Sequence, residues 1–136
     1  MIRKLAILSL CCFASFVLSA QQKQNNPKGS IIFTELIHDY GTIDVGSPGN
    51  CEFKFTNTMK KPLVVRNVRP SCGCTVAKWS KEPILPGETG VIKLSYNTKI
   101  PGLFLKTITV TSNASNSSVM LQIKGNVVAY QKHQNR

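Results

Sequence analysis

Carboxylates and imidazoles are scarce in this sequence. Its 136 residues hold six Asp or Glu and two histidines, His38 and His133. Hydrolysis by a nucleophile–base–acid triad needs an imidazole beside a nucleophile and an orienting carboxylate. Here one histidine falls in a turn-like stretch and the other in a polar tail, and no Gly-x-Ser-x-Gly occurs. Phosphate-cradling loops are missing too, because Gly41, Gly46 and Gly49 lead into a strand pattern and not into a helix. Outside the first twenty residues no window repeats apolar side chains with a 3.6-residue period, so helical architectures are excluded. Enzymatic activity is not expected.

What is present begins with an export signal. Arg3 and Lys4 precede an apolar or small-residue run from Leu5 to Leu18, then Ser19-Ala20 and a polar stretch. This is the layout of a cleavable signal peptide over residues 1–20. The alternative is a lipoprotein leader acylated at Cys11 or Cys12. Loss of Arg3 and Lys4 lowers the formal charge from +11 by two, to +9. The basic residues are scattered and carry no interleaved aromatics, so the excess reads as a solvated surface and not as a nucleic-acid site.

Residues 21–30 read as a flexible polar tether, and 131–136 as a disordered tail. Between them, residues 31–130 are rich in β-branched and aromatic side chains. Cys51-Glu52-Phe53-Lys54-Phe55-Thr56-Asn57 alternates strictly, placing Cys51, Phe53, Phe55 and Asn57 on one face. Ile92, Leu94 and Tyr96 share a face in the same way, as do Phe104, Lys106, Ile108 and Val110. Further strands are expected over 31–37, 42–45, 63–68, 76–80 and 119–128, with His38 to Gly41 as a turn and Pro70 as a strand terminator. Ile84 and Leu85 would plug one end of the core. About seven strands punctuated by turns predict an all-β, immunoglobulin-like antiparallel β-sandwich, with a small all-β barrel as the alternative, since alternation alone does not show whether the sheet closes.

The reactive groups concentrate in Pro70-Ser-Cys-Gly-Cys-Thr75. Four readings stand for Cys72 and Cys74. The first is a disulfide, as expected of exported thiols. Direct pairing of Cys72 with Cys74 requires a tight turn, which Gly73 would permit, and pairing of Cys51 with either is the less strained geometry. The second is metal binding: two thiolates could hold copper, while zinc would need Cys51 or His38 as additional ligands. The third is thiol–disulfide exchange, although no helix N-terminus is at hand to activate a thiol. The fourth is simple packing of a corner. Trp79 reads as a core or rim residue. The Asn113 and Asn116 sequons carry no weight in a Ser/Asn-rich loop.

The run Phe53-Lys-Phe-Thr-Asn57, with Pro62-Leu63, Ser71-Cys-Gly-Cys-Thr75, Ile84-Leu-Pro-Gly-Glu88, Gly102 and Phe104, resembles a bacterial secreted domain-of-unknown-function family, number fifteen-seventy-three. The resemblance spans about Phe33 to Val128 and includes Cys72, Gly73, Cys74 and Thr75 as a motif. That family is similar to Hydin-type and major-sperm-protein-type immunoglobulin-like domains, which implies an interaction module. It also implies a periplasmic or surface location in a Gram-negative cell. The expected function is a non-catalytic binding or assembly module of the cell envelope, with an envelope protein or glycan as partner. No nucleic acid is expected, and membrane contact only through a lipid anchor. The alternative is a small copper- or zinc-handling or thiol-redox protein working through Cys72 and Cys74.

Overall fold

The computed structural model describes residues 29–129. The leader, most of the tether and the tail lie outside these residues. Eight strands form two four-stranded sheets: β1 (Ile31–Phe33), β2 (Ile37–Asp44), β3 (Asn50–Asn57), β4 (Val65–Pro70), β5 (Thr75–Trp79), β6 (Thr89–Tyr96), β7 (Gly102–Ser112) and β8 (Ser118–Val128). The first sheet runs β1-β3-β6-β5 and the second β2-β8-β7-β4. Their inner faces enclose one core of Phe53, Phe55, Leu63, Ile92, Ile108, Leu121 and Ile123, none more than 3% exposed. This is the immunoglobulin-like sandwich that the alternation predicts.

The period-two faces hold. Along β3, Cys51, Phe53, Phe55 and Asn57 are buried while Glu52 and Lys54 face solvent. Ile92, Leu94 and Tyr96 on β6, and Phe104, Ile108 and Val110 on β7, point into the same core. Ile84 packs against it, whereas its neighbour Leu85 is half exposed.

The first edge departs from expectation. Ile31 to Ile37 does not form one strand: β1 pairs with β3 in the first sheet, and β2 then joins the second. His38 to Gly41 is not a turn but the middle of β2, where the register slips between Asp39 and Thr42. Gly41 takes a left-handed backbone there (φ 63°), a conformation glycine adopts without a steric cost. Moreover, β2 pairs with β8 in parallel, so the second sheet is mixed. A local pattern cannot reveal this, since parallel pairing is set by where the chain crosses between sheets. The tether also ends early: Ser30 is buried, and its carbonyl accepts the Thr58 N–H at 3.0 Å.

Candidate functional site

Pro70 to Thr75 is the corner that carries the chain from β4 in one sheet to β5 in the other. Both ends of the corner are tied. The Ser71 N–H donates to the Thr107 carbonyl at 2.8 Å, and the Thr107 N–H returns a bond to Ser71 Oγ at 3.2 Å. The Asn97 N–H donates to the Cys74 carbonyl at 2.8 Å. Between these anchors Cys72 and Cys74 form a disulfide, with Cα atoms 5.3 Å apart. That separation lies inside the range a bridge tolerates, so the tight turn is made. Gly73 is not what permits it: its φ is not positive, and a Cβ there would meet open space. Both sulfur-bearing residues are partly exposed, while Thr75 beside them is buried.

Cys51 does not take part, which corrects the pairing that ring strain favoured. It lies at the same end of the sandwich, on the rung Cys51–Leu94–Ala77, but its side chain is buried in the core as a free thiol. Burial pushes its pKa up, partly offset by a hydrogen bond with Tyr40. The Tyr40 hydroxyl donates to the Gly49 carbonyl at 2.7 Å, and burial raises its pKa well above the ordinary phenol value. Gly49 also accepts the Tyr96 N–H at 2.8 Å and sits so close to the Tyr96 carbonyl that any Cβ would collide with it. Tyr96 stacks on Phe104 at 3.9 Å. Tyr40, assigned to a turn by its sequence context, is thus the residue that joins Cys51 to the β2–β3 loop. No sequence signal marks it.

His38 is elsewhere. Its Nδ1 lies 3.6 Å from Glu35 Oε1, and its ring meets Tyr40 edge-on at 4.6 Å. The structure therefore does not bring Cys51 and His38 to Cys72 and Cys74 as further ligands. Among the described residues, no three His, Cys, Asp or Glu gather closely enough to hold a metal ion. Trp79 is half-buried against the core, donates from Nε1 to the Val65 carbonyl at 3.2 Å, and carries the Lys81 ammonium 3.5 Å from its ring centroid. Asn113 and Asn116 act as structural carboxamides, bonded to Val64 and Pro62 and to Ile31 respectively.

Two of the other segments quoted for the resemblance, Phe53 to Asn57 and Ile84 to Glu88, meet at Asn57. Its fully buried carboxamide donates to the Lys61 and Ile84 carbonyls at 2.9 and 2.8 Å and accepts the Met59 N–H at 2.8 Å. Its backbone closes on Gly87 and Glu88. The Phe-Lys-Phe-Thr-Asn and Pro-Gly-Glu segments are therefore one local structure built around a single side chain. Residues 31–127 match the family model described as a protein of unknown function, DUF1573.

The chain belongs to this family. Solved structures share the fold of this DUF1573 chain, and three of them illustrate the likeness at low identity. A protein of unknown function from Porphyromonas gingivalis W83 superposes with a TM-score of 0.63 at 14% identity, covering 72% of this chain and 46% of that one. The PapD-like domain 7 of human CEP192 gives 0.60 at 7% identity over 95% of this chain and 100% of that one. The Pseudomonas aeruginosa CupB2 chaperone gives 0.51 at 7% identity, covering 71% and 55%. The chain thus spans less than half of the Porphyromonas protein. At such identities these likenesses establish the fold alone: a PapD-like, immunoglobulin-like sandwich. No curated protein matches the DUF1573 chain in sequence.

Proposed function

We propose that this protein is an exported, non-catalytic binding or assembly module of a bacterial cell envelope, which meets a protein or glycan through its sheet edges and end loops. One observation carries the reading. The groups that could perform chemistry are held apart: Cys72 is bridged to Cys74, Cys51 is sealed in the core, and His38 faces Glu35. A sandwich of this kind offers strand edges, which bind extended chains through backbone hydrogen bonds. The chaperone-type neighbours are compatible with such a role.

The partly exposed position of the Cys72–Cys74 bridge favours a second reading, a thiol-redox or soft-metal protein, since reduction would free two adjacent thiols. One experiment separates the two. The protein is recovered from the periplasm of an expressing bacterium, alkylated with and without reductant, weighed, and assayed for copper and zinc. The binding-module reading expects an unreactive bridge and no stoichiometric metal. Stoichiometric metal that disappears in the Cys72→Ser, Cys74→Ser double variant would overturn it.

A further inference from the structure

The four edge strands of the sandwich are not equally protected. On β1, the Asn116 carboxamide bonds both the N–H and the carbonyl of Ile31, at 3.0 and 2.8 Å, in place of a neighbouring strand. The edge of β2 is broken by its bulge, where Asp39 Oδ1 accepts the Gly41 N–H at 2.8 Å. Along β4 the register slips between Val65 and Asn67, Trp79 Nε1 occupies the Val65 carbonyl, and Pro70 offers no N–H. Bulges, prolines and covering side chains are the usual devices that stop an edge from accepting another strand.

β5 has none of them. It pairs with β6 alone, in unbroken register from Thr75–Tyr96 to Trp79–Ile92. The bond from Asn97 N–H to the Cys74 carbonyl fixes the phase of this ladder. In an antiparallel pair, alternate residues turn both backbone groups toward the partner. Cys74, Val76 and Lys78 therefore face β6, and Thr75, Ala77 and Trp79 direct N–H and C=O away from the sheet. Among the described residues no hydrogen bond engages those outward groups.

The surroundings of this edge are basic. β4 and β5 lie at the same side of the sandwich and contain Arg66, Arg69 and Lys78, all exposed, but no carboxylate. Lys81 comes two residues after the strand, followed by one exposed carboxylate, Glu82. Lys78 stands opposite Lys93 on β6, whose amine lies 3.7 Å from the Glu52 carboxylate. Like charges directly opposite one another are unfavourable until a counter-charge arrives. Among the described residues, Arg66, Arg69, Lys78 and Lys81 take part in no ion pair.

We infer that β5 is a docking edge for an extended, acidic polypeptide segment of a partner protein. The segment adds as a fifth strand beside Thr75, Ala77 and Trp79, and its carboxylates meet Lys78, Lys81 and the β4 arginines. This rests on the binding-module reading and names the edge and the partner chemistry within it.

Ala77→Pro provides a selective test, because the Ala77 N–H faces outward and its loss leaves the β6 ladder intact. Lys78→Glu is a second variant that leaves the backbone untouched. The probe is a labelled peptide alternating glutamate with valine, with a lysine–valine peptide as control, titrated at low and high salt. The expected result is saturable binding of the acidic peptide, weakened by salt and by about tenfold or more in each folded variant. Amide hydrogen exchange should show Thr75, Ala77 and Trp79 becoming protected when the peptide is bound. Equal binding of both peptides, unchanged binding by the variants, or protection appearing at another edge would overturn the β5 assignment. Protection at another edge would leave the binding-module reading standing. Absence of peptide binding would overturn this inference alone, because the metal and alkylation assay decides the broader reading independently.

Discussion

At the scale of single residues, buried polar groups decide more than the reactive corner does. Asn57 places one carboxamide against three backbone groups in a site with no solvent exposure. Asn57→Ala strands those groups and should lower unfolding stability by about 2–3 kcal/mol in urea titration, more than a surface substitution would. Cys51 supplies a pH dependence. Its folded pKa lies above its unfolded one, so below the ordinary thiol range both states hold the proton and the full stability is present. As pH rises through that range, the unfolded chain loses its proton while the folded chain retains it, and stability falls. The loss should deepen as pH climbs through the thiol range, with Tyr40 and Tyr96 adding to it at higher pH. Urea midpoints measured across that range check this, and Cys51→Ala should flatten the first part of the decline.

At the scale of elements, the inward faces of β3, β6 and β7 make the core, and a truncation there leaves a cavity. Ile108→Ala, at a fully buried position paired with Leu121, should cost about 2–5 kcal/mol. The corner between β4 and β5 should behave differently. A bridge across one intervening residue closes a very small loop, so it removes little entropy from the unfolded chain. Its loss in Cys72→Ser, Cys74→Ser should cost only about 1–2 kcal/mol. The backbone bonds from Ser71 to Thr107 and from Asn97 to Cys74 hold the corner without it. A loss as large as that of Ile108→Ala would mean that the bridge itself organises the crossover.

At the scale of the whole molecule, the sequence determined the all-β class, the inward residues of β3, β6 and β7, and the family. Each of these is legible locally, since side chains alternate across a strand wherever it pairs, and the quoted segments can be read directly. Even the place of the cysteine corner between two strands follows from Pro70 and its flanks. Only the tertiary structure decided which sheet each strand joins. It split residues 31–44 into β1 and β2, laid β2 parallel to β8, and made His38 a strand residue. It also closed the bridge between Cys72 and Cys74 while burying Cys51 beside Tyr40. The open edge at β5 is tertiary as well. Whether a strand's outward N–H and C=O groups find partners depends on chain segments far away in sequence, such as Asn116 beside Ile31. Local alternation fixes a face, but long-range crossing fixes the neighbours.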